Sequence, residues 1–334
     1  MFIHSNSASE YASKVKETLD ADIVVVGSGV SGLATGVQAA ELGLKTILIE
    51  VKSSRGGSGP EGIAAIGSSL QKKLGIEISL GDVIEHDAIF FNYRLNNLFW
   101  QDMLKASADN IDWLINKGVE FSGVVDDYKG MGKFKMFHWF PGDHNCWRAY
   151  SAHMEKSLLS HNNASLVFKT RGRELIMDGD QVVGLYATQS DKSVVRINSK
   201  AVVLATGGYA SNYDMVAERW KGLDPGRWEC DGVKTNVGDG LNMAVAVGGN
   251  DVSRERNLLA KVCCKTNDFS LAGLGKLNRA CWVNETGERY TNEGCDDINT
   301  RCSINALLAH KNTYAIMDAN ILPIKKLTFS SLMP

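Results

Sequence analysis

The sequence predicts an α/β protein: a parallel central sheet with an antiparallel β insertion, followed by a smaller mixed segment. Three observations carry this. Two short β-branched runs, residues 22–26 and 201–205, lack the polar alternation of a half-exposed strand and suit strands buried on both faces. Each runs straight into a glycine turn, Gly27-Ser28-Gly29 and Thr206-Gly207-Gly208. Between them helical spacing alternates with short apolar runs, and residues 181–188 and 193–197 read as antiparallel strands with charged turns.

Residues 22–50 organise the chain. Gly27, Gly29 and Gly32 follow the first strand with G-x-G-x-x-G spacing, the Rossmann-like pattern. Gly27 permits the tight turn, Gly29 lets a pyrophosphate approach the backbone, and Gly32 lets helix and strand pack closely. The helix expected over 30–42 offers its N-terminal N–H groups and partial positive charge to phosphates. Gly43 stops it. A second strand over 45–49 ends at Glu50, 18 residues beyond Gly32. An acid there accepts both hydroxyl hydrogens of an adenosine ribose and disfavours a 2′-phosphate, which argues against NADP but does not separate NAD from FAD.

Composition narrows the class. The chain has 334 residues, enough for two domains, and a net charge of −2, which gives no reason to expect nucleic acid or an anionic membrane as partner. No apolar run reaches the length of a membrane span. Residues 1–21 lack a signal-peptide core and a twin-arginine pair, so they read as a polar lead-in, helical over 10–19, and a cytoplasmic location is expected. The seven cysteines include no C-x-x-C, which argues against a disulfide framework, a dithiol centre, attached haem or a zinc ribbon. Cys263, Cys264, Cys295 and Cys302 are expected to be free thiols, and no metal site is expected.

The remaining elements follow in order. The loop containing Gly56, Gly57, Ser58 and Gly59 is suited to lie against a cofactor, and the small apolar segment 61–68 to pass close to a flat ring. A helix over 96–117 presents Leu104, Ala108, Ile111, Leu114 and Ile115, and Gly118 stops it. Residues 123–147 form an aromatic irregular stretch in which His138 and His144 are expected to be packing or hydrogen-bonding residues rather than catalysts. A helix over 148–160 and a third parallel strand over 166–169 come next. The turn at Thr206 and Gly207 is a second approach to a cofactor, which a large dinucleotide requires and a one-site nicotinamide dehydrogenase does not. Asp239 opens a helix over 241–247, as a cap or as a partner for a cofactor hydroxyl. A hairpin over 282–290, a helix over 305–310 and a strand over 314–318 complete the reading.

The stretches GSGVSG with IEVKSSRGGS, VVLATGGYASN, VGDGLNMAVAVGG, VNETGERYTNE and TYAIMD, in that order, resemble the flavoproteins of the fumarate reductase and succinate dehydrogenase family. The likeness is to its soluble single-chain reductases of unsaturated acids. The resemblance implies a lead-in over 1–20, a FAD-binding domain over 21–254 and a partial α+β capping domain over 255–334 that binds substrate. It places Ser31 in the pyrophosphate turn, Glu50 on the ribose and Ser58 and Gly59 after the glycine pair near the pyrophosphate. It sets Ala64 and Ala65 at the flavin ring, Gly172 near adenine and Asp239 in a Gly-Asp-Gly cofactor turn. It implies hydride transfer from reduced flavin to an activated double bond, with Arg301 as proton donor and carboxylate clamp.

Departures from the pattern shape the expectation. Arg301 arrives four residues late after Asn292-Glu293, Gly273 and Lys276 stand at the relay positions, and Ala260 stands in place of a substrate-binding histidine. Fumarate, with two carboxylates to clamp, is therefore a poor candidate substrate. The family's returning C-terminal segment is expected beyond Pro334, so the chain reads as a fragment or as one completed by a partner or oligomer. The alternatives are a catalytically incomplete FAD-binding module, another flavin dehydrogenase of the family such as a ketosteroid dehydrogenase, or an NAD dehydrogenase. An unsaturated small-molecule substrate and an external electron donor are the expected partners.

Overall fold

The computed structural model describes residues 9–56, 61–91, 93, 95–128, 132–142, 147–219, 233–254, 281–290, 310 and 312–316. The chain forms two compact units, Met1–Met215 with Gly232–Val252, and Val216–Asp231 with Ser253–Pro334. The elements begin with β1 (Val15–Val26), α1 (Val30–Glu41), β2 (Thr46–Ile49), β3 (Gly62–Ala64), α2 (Ser69–Lys73), α3 (Leu80–Phe90) and α4 (Asn97–Asn116). There follow β4 (Val125–Asp126), β5 (Phe137–Trp139), α5 (Trp147–Leu159), β6 (Ala164–Val167), β7 (Thr170–Asp178), β8 (Gln181–Gln189) and β9 (Val194–Leu204). The last are α6 (Tyr213–Arg219), α7 (Asp239–Ala246), β10 (Cys281–Asn284) and β11 (Thr313–Ile316).

The central sheet has the order β6-β2-β1-β9-β8-β7. β6, β2, β1 and β9 are parallel, and β8 and β7 continue the sheet antiparallel. Alternate residues feed two cores. Val25 and Leu48 pack with Leu33 and Val37 of α1 and with Met154 and Leu158 of α5. Val24, Val26, Ile47 and Ile49 point the other way, to Leu175, Leu185, Ile197 and Met243. This is the two-sided burial expected of strands without polar alternation. Truncating a side chain such as Leu48 to alanine would cost about 2–5 kcal/mol.

α1, α4 and α5 lie where helical spacing predicts them. Asn96 caps α4 by accepting from the Phe99 N–H, and Gly118 leaves the helix at φ 82°. Along α4, Leu104, Ile111 and Leu114 are buried as expected, but Ser107 joins them while Ile115 stays exposed.

Several expectations are corrected. The lead-in is not a helix over 10–19: after one 3₁₀ turn at Ala12–Lys14, residues from Val15 onward extend β1 and pair with β9 from Val194 to Ser199. Tyr11, Val15 and Leu19 mimic helical spacing, but the edge of β9 offers ladder bonds that an isolated helix would forgo. The runs at 193–197 and 201–205 are one strand, β9. The polar Asn198-Ser199-Lys200 conceals its continuity where β8 stops pairing with it. β7 was not foreseen. The aromatic stretch contains β4 and β5, which join β3 in a small antiparallel sheet of order β3-β5-β4.

In the second unit β10 and β11 pair antiparallel. The foreseen turn closes on Asn284, whose Oδ1 accepts from the N–H groups of Thr286 and Glu288, and Gly287 takes φ 82°. Residues 305–309 of the expected helix and 317–318 of the last expected strand lie outside the described residues, and His310, which is described, is not helical.

Candidate functional site

The carboxyl ends of the parallel strands surround a cavity of about 430 Å³. Val26 and Gly27 end β1, Ile49 and Glu50 end β2, and Ala205 to Gly207 follow β9. Thr170 to Gly172 enter from the start of β7, and Asn236 and Asp239 from the approach to α7. Ligands of open α/β sheets bind at this edge. Ten of the residues named from the sequence come to one place: Gly27, Gly29, Ser31, Glu50, Gly56, Gly172, Thr206, Gly207 and Asp239 line the cavity, and Gly32 supports it from within the turn. Gly57, Ser58, Gly59, Arg301, His144 and the cysteines at 263, 264, 295 and 302 lie outside the described residues, as do Ala260, Gly273 and Lys276. Ala64 and Ala65 are not on the cavity wall: Ala64 is exposed on β3 and Ala65 is buried beside it.

The first turn is shaped by backbone contact. Gly27 has φ 105°, and a Cβ on it would lie 2.5 Å from the Ala205 carbonyl oxygen. A Cβ on Gly32 would lie 1.8 Å from the Gly27 carbonyl oxygen. Gly29 is the N-cap of α1, which has neither a side-chain cap nor an acidic residue in its first turn. Its leading N–H groups are therefore left to a ligand or to water. Tyr150, buried in α5, donates from its hydroxyl to the Val30 carbonyl at 2.6 Å and pins this helix start. Burial raises its ionisation well above that of an exposed tyrosine.

Glu50 is buried and largely engaged. Its Oε2 accepts from the Ser28 N–H and hydroxyl, each at 2.8 Å, and its Oε1 from the Lys52 N–H at 2.9 Å. Ser28 Oγ in turn accepts from the Gly56 N–H at 2.7 Å. A carboxylate has about four acceptor positions. With these bonds kept, one remains for a ligand hydroxyl, against the two in the sequence expectation. A Cβ on Gly56 would lie 2.5 Å from Glu50 Oε2, so a larger residue there would push this hydrogen-bonded carboxylate aside.

Across the cavity, Asp239 does not cap α7. Gly238 is the N-cap, with φ 87°, and Asp239 begins the helix. Its carboxylate takes both arms of Arg171, with Nε to Oδ2 and the second guanidinium nitrogen to Oδ1 both at 2.8 Å. This bidentate hydrogen bond fixes the Arg171 charge more firmly than usual. Beside it, Thr206 Oγ1 accepts from the Gly240 N–H at 3.1 Å, and Gly207 turns at φ 75° against Asn236. Arg171, Ser28 and Asn236 were missed by sequence reasoning, whereas Gly56 lines the cavity as its loop was expected to. For Arg171 and Ser28, the positions next to Gly172 and between Gly27 and Gly29 were the available signals.

The residues present suit an adenine dinucleotide. An uncapped helix start suits an anion such as a pyrophosphate, and Glu50 keeps one acceptor open for a hydroxyl. The glycines keep the walls within reach of the ligand. Among the described residues no group of three or more His, Cys, Asp or Glu side chains is arranged to hold a metal, and no helix is long and apolar enough to cross a membrane.

A family model described as FAD binding domain matches residues 22–329. The chain is 28% identical over 320 residues to the vinyl phenol reductase of Lactiplantibacillus plantarum, covering 90% of this chain and 62% of that protein. It is 28% identical over 332 residues to a fumarate reductase (cytochrome) of Shewanella frigidimarina, covering 95% and 55%. Among solved structures, a 3-ketosteroid-Δ4-(5α)-dehydrogenase from Rhodococcus jostii superposes with a TM-score of 0.68 at 21% identity, over 84% of this chain and 63% of that one. The chain thus spans less than two thirds of the length of these relatives.

Proposed function

Because the chain belongs to the FAD binding domain family and its cofactor is FAD, we propose that it is the FAD-binding part of an oxidoreductase that reduces the activated double bond of an unsaturated acid or enone. When bound and reduced by an external electron donor, the flavin would supply the hydride for the β-carbon of that double bond and return to its oxidised form. The chain's residues do the holding. The start of α1 and the Gly27 turn take the pyrophosphate, Glu50 a ribose hydroxyl, and the Thr206–Gly207 turn with Asp239 the opposite wall. In the same reading Ser58 and Gly59 follow the glycine pair Gly56–Gly57 toward the pyrophosphate, and the segment of Ala64 and Ala65 passes the flavin ring with Ala64 as its exposed residue. Arg301 clamps the substrate carboxylate and gives the proton to the α-carbon from its guanidinium, a role that needs a dry pocket and a relay to return the proton.

The observation that supports this most is the convergence of two separate glycine turns and Glu50 on one cavity at the carboxyl edge of the parallel sheet. The names of the relatives support the reaction class. A FAD-binding domain over 21–254, a substrate-binding segment over 255–334, an external electron donor and a cytoplasmic location belong to the same reading.

The test begins with the visible spectrum of the purified chain, before and after mixing with FAD and desalting. A retained flavin band is expected. The flavin is then reduced without oxygen and offered a panel of unsaturated carboxylic acids. Reoxidation by at least one is expected, and Arg301→Ala should abolish it. An unchanged rate in that variant would remove Arg301 from the mechanism.

A further inference from the structure

The segment Ile63–Ile66 is gripped from within by buried polar side chains that the cavity does not use. His138 and Gln71 are fully buried, as is Ser68, and Ser107 nearly so. The His138 Nδ1–H donates to the Met136 carbonyl at 2.8 Å and shares the Ile63 carbonyl at 3.2 Å. Its Nε2 accepts from the Ser68 hydroxyl at 2.7 Å. That direction follows from the tautomer: Nδ1 faces two carbonyls that can only accept, so it carries the proton and Nε2 of the neutral ring is the acceptor, while Ser68 Oγ also accepts from the Gln71 N–H at 3.0 Å. Gln71 Nε2 donates to the Ala65 carbonyl at 3.0 Å and to the Lys135 carbonyl at 2.9 Å. Ser107 Oγ accepts from the Ile66 N–H at 3.0 Å. The Ala65 N–H is held by the Met136 carbonyl.

Three polar side chains, His138, Gln71 and Ser107, thus bond one short stretch of backbone, and Ser68 ties the first two together. Apolar packing stabilises a core as well as such a network does, and each buried polar group costs free energy unless its bonds are complete. What the network adds is position. The held segment leaves one small side chain, Ala64, exposed between the partly buried Ile63 and the buried Ala65. Gly62 beside it admits no side chain, since a Cβ there would lie 2.1 Å from the His138 carbonyl oxygen. The segment also begins seven residues after Gly56 of the cavity wall, a path of at most about 25 Å.

We propose that His138, Gln71, Ser68 and Ser107 are positioning residues, a buried clamp that fixes Ile63–Ile66 so that Ala64 presents a flat, rigid face to the flavin ring. This rests on the FAD reading above and adds to it the groups that set the ring's surroundings.

The test compares Gln71→Leu and the milder Ser107→Ala with Asn163→Ala, which removes bonds to the Ala40 and Leu44 carbonyls at the far end of α1. Melting of the FAD-free chains measures the structural cost of each. The readouts are the FAD dissociation constant, and the absorption, visible circular dichroism and midpoint potential of the bound flavin. Gln71→Leu should weaken FAD about tenfold, the equivalent of one buried hydrogen bond, and shift the flavin spectrum and potential. Ser107→Ala should shift them in the same sense, and Asn163→Ala should leave both unchanged at equal thermal cost. Wild-type spectra and potential in both clamp variants would overturn the clamp and leave the FAD reading standing. If Gln71→Leu does not fold, Ser107→Ala alone decides. A wild-type chain that retains no FAD would overturn both.

Discussion

The cavity wall and the clamp behind β3 use polar groups in opposite ways. At the cavity, the start of α1 carries no side-chain cap, and Glu50 keeps an acceptor position open after three internal bonds. In the clamp, Ser68, Gln71 and His138 close on one another and on backbone carbonyls. Both regions are rich in buried polar atoms, yet only the first leaves bonding capacity facing a void. That contrast separates a place that binds from a place that holds.

The largest expected effect tests whether backbone contact shapes the binding side. In Gly32→Ala the new Cβ would meet the Gly27 carbonyl oxygen at 1.8 Å, and no side chain can rotate away to relieve it. Helix and strand must separate, at a cost of about 3 kcal/mol or more. The melting temperature should fall by roughly 6–12 °C, with loss of FAD retention. A variant melting within about 2 °C of the wild type would break this half of the comparison.

A smaller effect sharpens the other half. Burial lowers the His138 pKa below its ordinary 6.5, because the charged imidazole loses water there, while the Met136 and Ile63 carbonyls oppose the shift. The unfolded chain therefore binds a proton that the folded chain refuses in the window from about 6.5 down to the lower folded value. The contribution is complete above 6.5 and is lost as the pH falls through that window. Denaturant melts at pH 8 and pH 5 should show the wild type losing more stability on acidification than His138→Phe. Equal losses would mean that burial does not keep this imidazole neutral.

The binding side was the more legible in sequence, for a physical reason. Gly27, Gly29, Gly32 and Glu50 are constrained by local geometry, so their spacing alone reports their roles. Arg171 is different. Nothing near it in sequence reveals that a carboxylate 68 positions later meets it, since that depends on how β7 is placed against α7. β7 itself was invisible because Thr170-Arg171-Gly172-Arg173-Glu174 breaks the apolar alternation and a left-handed Lys169, at φ 54°, precedes it. His138 was read as a packing or hydrogen-bonding residue, which its burial bears out, but its partners at Ser68 and Ile63 lie some 70 positions away.

The smallest effect distinguishes the two glycine turns within the cavity wall. A Cβ on Gly240 would lie 2.3 Å from Thr206 Oγ1, a side-chain atom that can swing aside. Gly240→Ala should therefore cost only about 1 kcal/mol, the worth of the Gly240 N–H bond to that hydroxyl. Thr206→Ala removes the same bond and should cost a similar amount. It also removes the obstacle, so the double variant should be no less stable than either single one. The coupling is then about 1 kcal/mol in the double-mutant cycle. No second substitution offers such relief at Gly32, whose obstacle is the backbone itself. Strictly additive costs at 206 and 240 would show that something other than the threonine limits this turn, and the two turns would then be equally unforgiving.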